Sequence, residues 1–65
     1  MAASSLDILP PVGAPAARSL RDAGYSSLRE LADADRAELS RLHGVGPKAL
    51  RLIEEALKEH GLALR

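Results

Sequence analysis

Gly44-Val45-Gly46-Pro47-Lys48-Ala49 is the stretch whose residue types and spacing could do chemistry. Glycine tolerates the positive φ of a very tight turn. Pro47 suits the first position of a helix, where no amide donor is required. The amides after Gly46 then stand at a helix N-terminus without carbonyl partners, and the dipole there attracts phosphate. Lys48 puts a cation beside them, and Arg51 lies three residues further along the same helix. The chemistry on offer is anion binding by the main chain. His43, next to the first glycine, reads as a polar loop residue within reach of the same anion. No Ser, His and acid trio and no cluster of metal ligands has the spacing of a catalyst, so no enzyme, cofactor or metal is expected.

The elements that must position these amides are two helices. Upstream, Glu38, Leu39 and Leu42 read as the end of one helix. Downstream, Ala49, Leu50, Ile53, Ala56 and Leu57 keep helical spacing. Val45 turns inward between them and pins the hairpin. This order of residues resembles the helix-hairpin-helix motif. The letters also spell Gly-x-Gly-x-x-Ala, a dinucleotide fingerprint that needs a preceding strand in a βαβ unit. The preceding segment is helical, and 65 residues are too few for a doubly wound sheet.

Leu9 to Leu20 repeats Leu42 to Ile53 at an offset of 33 residues (46 − 13). Leu9 matches Leu42, Val12 matches Val45, Gly13 matches Gly46, Ala16 matches Ala49 and Leu20 matches Ile53. Pro11 replaces the first glycine, and proline cannot take positive φ. The earlier copy must therefore turn differently. With Pro15 where Lys48 stands, it is read as mainly structural.

Punctuation residues set the remaining elements. A turn over Leu6-Asp7-Ile8-Leu9 is expected to lie across the core. A first helix runs from about Ala14 to Ala23, with Ala16, Ala17, Leu20 and Ala23 inside and Arg18, Arg21 and Asp22 outside. Gly24 caps it in a left-handed conformation. Ser27-Leu28-Arg29-Glu30 has the form of a capping box and starts a short helix through Leu31 or Ala32. Asp35 caps a third helix that carries Leu39 and Leu42. The last runs from Pro47 to about His60, where Gly61 stops it. His60 reads as a cap or dipole partner there. Leu62 and Leu64 fold back on the core, and Tyr25 packs its ring against it. Glu54 with Lys58, and Arg51 with Glu55, are spaced to pair along the surface. Nothing alternates as a strand would, so the fold class is all-α: a bundle of four to five helices with two pseudo-repeated hairpin elements.

Composition bounds the function. Residues 1–5 read as a flexible tail and 6–65 as a single small domain with a modest core. There is no Cys, which excludes disulfides and thiolate-based zinc. No apolar run is of membrane-spanning length, and the first residues lack the parts of a signal peptide. Nine bases cancel nine acids, which argues against strong general polyanion binding. The balance is uneven: residues 1–35 hold three bases and five acids, and residues 36–65 hold six bases and four acids. The second half is the better candidate for a phosphate-facing side. With Tyr25 the sole aromatic residue, a base-stacking platform is not expected.

From Asp7 to Leu64 the chain resembles the C-terminal domain of the bacterial RNA polymerase α subunit. The resemblance is carried by Arg21-Asp22-Ala23-Gly24-Tyr25, Leu28 with Leu31, Glu38-Leu39, Gly44-Val45-Gly46 with Lys48, and Gly61-Leu62-Ala63-Leu64. It implies a compact helix-hairpin-helix domain that binds the minor-groove side of DNA and docks transcription factors. It also implies main-chain contacts at Gly46, Lys48 and Ala49, and a polar contact at Arg18. The family's principal arginine position is Pro15 here, and a further polar contact position is Leu52, so A·T-specific reading is not expected. A free-standing relative of that domain, or a fragment of a longer protein, is expected. The functional expectation is a weak, non-sequence-specific binder of double-stranded DNA phosphates through His43, Gly44, Val45, Gly46, Lys48, Ala49, Arg51 and Arg18. The alternative is a protein-interaction adaptor for a transcription-related partner. A cytoplasmic, nucleoid-associated location is expected for the DNA binder.

Overall fold

Four helices run through residues 5–65, the part of the chain described by the computed structural model: α1 (Ala14–Asp22), α2 (Leu28–Leu31), α3 (Arg36–Ser40) and α4 (Pro47–Lys58). The described residues contain no strand, and the all-α expectation holds. Most of the tail expected over residues 1–5 lies outside the described residues.

The two long helices end in the same way. At α1, Gly24 takes φ +97°, its amide donates to the Arg21 carbonyl (3.0 Å) and that of Tyr25 donates to Leu20 (2.8 Å). At α4, Gly61 takes φ +71°, its amide donates to Lys58 (3.0 Å) and that of Leu62 donates to Leu57 (2.9 Å). Both are Schellman caps, in which a left-handed glycine lets two amides close on the last free carbonyls. α4 therefore stops at Lys58, two residues before the expected end, because Glu59 to Gly61 belong to the cap. Ala23 is exposed and not on the inner side of α1, because the helix has already ended at Asp22.

The short helices begin on side-chain caps. Asp35 Oδ1 accepts the amides of Ala37 (2.8 Å) and Glu38 (3.3 Å). Ser27 Oγ accepts the Glu30 amide at 3.4 Å. The reciprocal half of that box is displaced by one residue. Glu30 Oε1 accepts from the Ser26 hydroxyl (2.6 Å) and the Ser26 amide (2.7 Å), and these donors hold its carboxyl below its ordinary value.

Two peptide segments complete the assembly. Leu6 and Ile8 offer carbonyls to the amides of Arg29 (2.9 Å) and Leu28 (3.0 Å). At the other end, Ala63 and Arg65 exchange main-chain bonds with Asp33, Ala34 and Arg36. These bonds hold Leu6, Leu9, Leu62 and Leu64 against the core, while Ile8 stays 62% exposed. Asp33 adopts φ +66°, a left-handed conformation that a short polar residue tolerates.

α4 lies across α2 and α3, and its inner side is Ala49, Leu50, Ile53, Ala56 and Leu57. Leu20, Leu28, Leu31, Leu39, Ile53 and Leu57 are the largest fully buried side chains. Each such burial contributes about 1.5–3 kcal/mol. The two halves of the sequence repeat occupy equivalent places: Ala16 with Ala49 and Leu20 with Ile53 are buried pairs, and Leu9 with Leu42 are half-buried. Glu54 does not pair with Lys58. It reaches across to Arg36 at 3.5 Å, between exposed groups whose net contribution is small.

The Glu30 cap gives a pH prediction with a definite sign. A depressed carboxyl stabilises the fold above its unfolded value, near 4.5, and that contribution is lost as pH falls below it. Glu30→Gln should flatten the acid-side fall of the melting temperature between pH 5 and pH 3, roughly the carboxylate range, measured by circular dichroism.

Candidate functional site

A helix begins with main-chain amides that have no partner in its own first turn, so where each goes can be followed. In α2, Leu28 and Arg29 donate to Ile8 and Leu6, and Glu30 donates to Ser27. In α3, Arg36 donates to Arg65, and Ala37 and Glu38 donate to Asp35. Both short helices are satisfied from within the molecule. The two long ones are not. α4 starts at Gly46, which accepts the Leu50 amide (3.0 Å) but has no side chain to offer in return. The amides of Gly46, Lys48 and Ala49 have no acceptor among the described residues. α1 repeats this: Gly13 accepts the Ala17 amide (2.9 Å), no side chain caps the helix, and Pro15 follows.

The turn into α4 depends on one glycine. Gly44 sits at φ +83°, and a Cβ there would meet Pro15 Cβ at 3.0 Å and its carbonyl carbon at 3.1 Å. Both the dihedral and the space demand glycine. Gly46 is different. Its φ of −99° and ψ of −174° suit any residue, and a Cβ would meet nothing within 4 Å. The positive φ expected from a glycine pair belongs to Gly44 alone. In the first hairpin, where Pro11 replaces that glycine, the left-handed residue moves two places on, to Gly13 at φ +99°. Val45 is 4% exposed and its amide donates to Leu42 (3.1 Å), so it anchors the turn from inside.

α1 clamps this hairpin from the side. Pro15 packs against Gly44, and the Ser19 hydroxyl donates to the His43 carbonyl. Neither contact has a local signal in the sequence, since the partners lie 29 (44 − 15) and 24 residues apart. The repeat was the available clue: two hairpins related by duplication have matching faces to bring together.

They meet around one hollow. Pro11, Val12 and Gly13 line it from the first hairpin, and Gly44, Gly46, Lys48 and Ala49 from the second, with Leu52 between. No acidic side chain lines it. Lys48 and Arg51, both exposed, flank Pro47 on the adjoining surface. Arg18 and His43 lie together elsewhere, on a surface that they share with Ser19 and Asp22. The structure thus brings Gly44, Gly46, Lys48 and Ala49 to one place, puts Arg51 beside them, and groups Arg18 with His43. The first hairpin, expected to be mainly structural, supplies an uncapped helix start to the same hollow.

Among the described residues no three His, Asp or Glu side chains gather where they could hold a metal ion, and no helix is long and apolar enough to cross a membrane. A family model for a SAM-like helix-hairpin-helix tandem matches residues 4–59. Neither the curated proteins nor the solved structures compared with the chain give a match.

The two glycines of the hairpin should respond oppositely to one added methyl group. Gly44→Ala should cost about 2 kcal/mol or more, from the left-handed dihedral and the contact with Pro15. Gly46→Ala should stay within about 1 kcal/mol of the parent protein. Urea denaturation of the two variants checks this.

Proposed function

The chain belongs to the SAM-like helix-hairpin-helix tandem family, and from that premise we propose that it is a small non-catalytic module that grips duplex DNA by its phosphates. Helix-hairpin-helix domains commonly bind nucleic acid. The observation that carries the reading is the selective lack of caps. Asp35 and Ser27 close the short helices, whereas the two helices facing the shared hollow start on glycines that leave their amides open.

The mechanism follows from those groups. A phosphate oxygen at the start of α4 accepts from the amides of Gly46, Lys48 and Ala49, with the helix dipole adding to the attraction. The glycine at 46, which the fold itself does not require, lets a backbone phosphate approach closely. Lys48 and Arg51 add point charges at the edge, and the start of α1 at Gly13 offers a second, weaker place for a phosphate. Arg18 and His43 would serve only a duplex that extends past Pro15. Leu52, the apolar residue that a protein adaptor could offer on this side, is half-buried in the hollow.

Donors of this kind position nucleic acid without reading its sequence. One such module neutralises about two to four phosphates, so binding is on the order of micromolar or weaker, and log affinity should fall with log salt at a slope of roughly −2 to −4. Fluorescence anisotropy of a labelled duplex between 50 and 200 mM salt, about the span over which counterion release is read, checks that slope. A salt-independent affinity would point away from phosphate.

A sharper test sets stability against binding. Gly46→Asp supplies the missing cap and should stabilise the protein by about 0.5–1 kcal/mol. The same carboxylate occupies the amides and repels phosphate, so duplex binding should be lost. Lys48→Glu should also abolish binding while the melting temperature is held or raised. A Gly46→Asp protein that melts higher and still binds DNA at the parent affinity would remove these amides from the mechanism.

A further inference from the structure

Beyond α4 the chain turns back to the upstream arm of the second hairpin, and we infer that residues 63–65 are a strap whose docking decides whether that arm is ordered. Main-chain bonds tie the strap down. The Asp33 amide donates to Ala63 (3.0 Å), the Arg65 amide donates to Ala34 (2.8 Å) and the Arg36 amide donates to Arg65 (3.0 Å). Arg65 thereby clasps the peptides on either side of Asp35, whose carboxylate caps α3 by accepting from Ala37 and Glu38. Gly61 makes the bend behind the strap at φ +71°, and a Cβ there would meet nothing within 4 Å. Leu64 is half-buried against the core, whereas Ala63 and Arg65 are exposed. A segment held chiefly by surface hydrogen bonds and one partly buried side chain belongs to the readily opened part of a structure.

From the strap a run of main-chain bonds leads through α3 to the turn. The Leu39 amide donates to Asp35 (3.1 Å), that of Leu42 to Leu39 (3.1 Å) and that of Val45 to Leu42 (3.1 Å). α3 is five residues long, too short to persist unsupported, and Leu39 is its buried side chain. With the strap undocked, Ala34 and Arg36 lose their partners and the cap at Asp35 loses its setting. α4 does not share this dependence, because Gly61 and Leu62 close its end onto Lys58 and Leu57 before the strap begins. Release of the strap therefore opens α3 and the turn as a unit while α4 stays folded. A binding surface that must first be ordered loses affinity in proportion to the fraction ordered. The strap thus sets how much of the hairpin is competent, whatever ligand the hairpin takes.

Amide hydrogen exchange, read residue by residue by NMR in the parent protein and two variants, tests the inference. Arg65→Pro removes the amide that donates to Ala34 and leaves the core side chains in place. Leu64→Asp puts a charge on the apolar anchor. In the parent, the amides of Asp33, Arg36, Leu39, Leu42 and Val45 should share one protection factor, about tenfold or more below those of Ile53 and Leu57. Each variant should lower the first group by a further factor of about ten while the second stays within about twofold of the parent. Parent amides of Leu39, Leu42 and Val45 as well protected as that of Ile53 overturn the inference. So does unchanged protection in either variant, because the strap then governs nothing. Equal loss of protection in α3 and α4, or unfolding of both variants, overturns it as well, since the segment would then hold the whole domain and not one arm.

Discussion

Main-chain amides left without acceptors at the start of α4 are the feature around which the remaining structure makes sense. An open amide at a helix start is inexpensive only where water or a ligand can reach it. The residues around Gly46 meet that condition by being divided. Val45, Ala49, Leu50 and Ile53 turn inward and fasten the helix to the core, and Lys48 and Arg51 remain outside. Gly44 makes the division possible, because its left-handed dihedral and its fit against Pro15 reverse the chain within a few residues. Burial therefore fixes where the amides are, and the turn fixes that they open onto a surface.

Capping across the molecule shows how stability is distributed. Asp35, Ser27 and the Leu6 to Ile8 segment use nearly every device available to complete α2 and α3, helices of four and five residues that would not persist alone. At their C-termini α1 and α4 have full Schellman caps. Only their N-termini go without. A serine or aspartate at position 46 would contribute stability by the ordinary capping route, yet glycine stands there as it does at position 13. A structural demand explains Gly13, which needs φ +99°. No such demand acts at Gly46, whose backbone suits any residue and where a Cβ would meet nothing within 4 Å.

Much of the fold could be read from the chain. Gly24, Gly61, Ser27, Asp35 and Pro47 are punctuation whose physics is local, and the helices begin and end within one or two residues of where these letters place them. The inward faces followed from helical spacing, and Val45 and Ile53 are where that spacing puts them. Two side-chain pairings differ from the local rule, one through a distant partner and one by a shift of a single residue. Glu54 found Arg36 in place of Lys58, and Glu30 turned its carboxylate to Ser26. At the site, the amides of Gly46, Lys48 and Ala49 were legible because capping is a local matter. The clamp of Pro15 and Ser19 on the hairpin was not, because tertiary packing alone brings those residues to His43 and Gly44. Nor was the common hollow, since Pro11 and Val12 meet Leu52 only once both hairpins are folded.

A direct view of the open amides comes from proton–nitrogen correlation spectra of the labelled protein during titration with a short DNA duplex. The amide protons of Gly46, Lys48 and Ala49 should move downfield together and saturate at one DNA concentration, with those of Gly13 and Ala14 following more weakly. Spectra in which these amides stay still while others respond, or in which nothing responds, would contradict phosphate binding at this helix start.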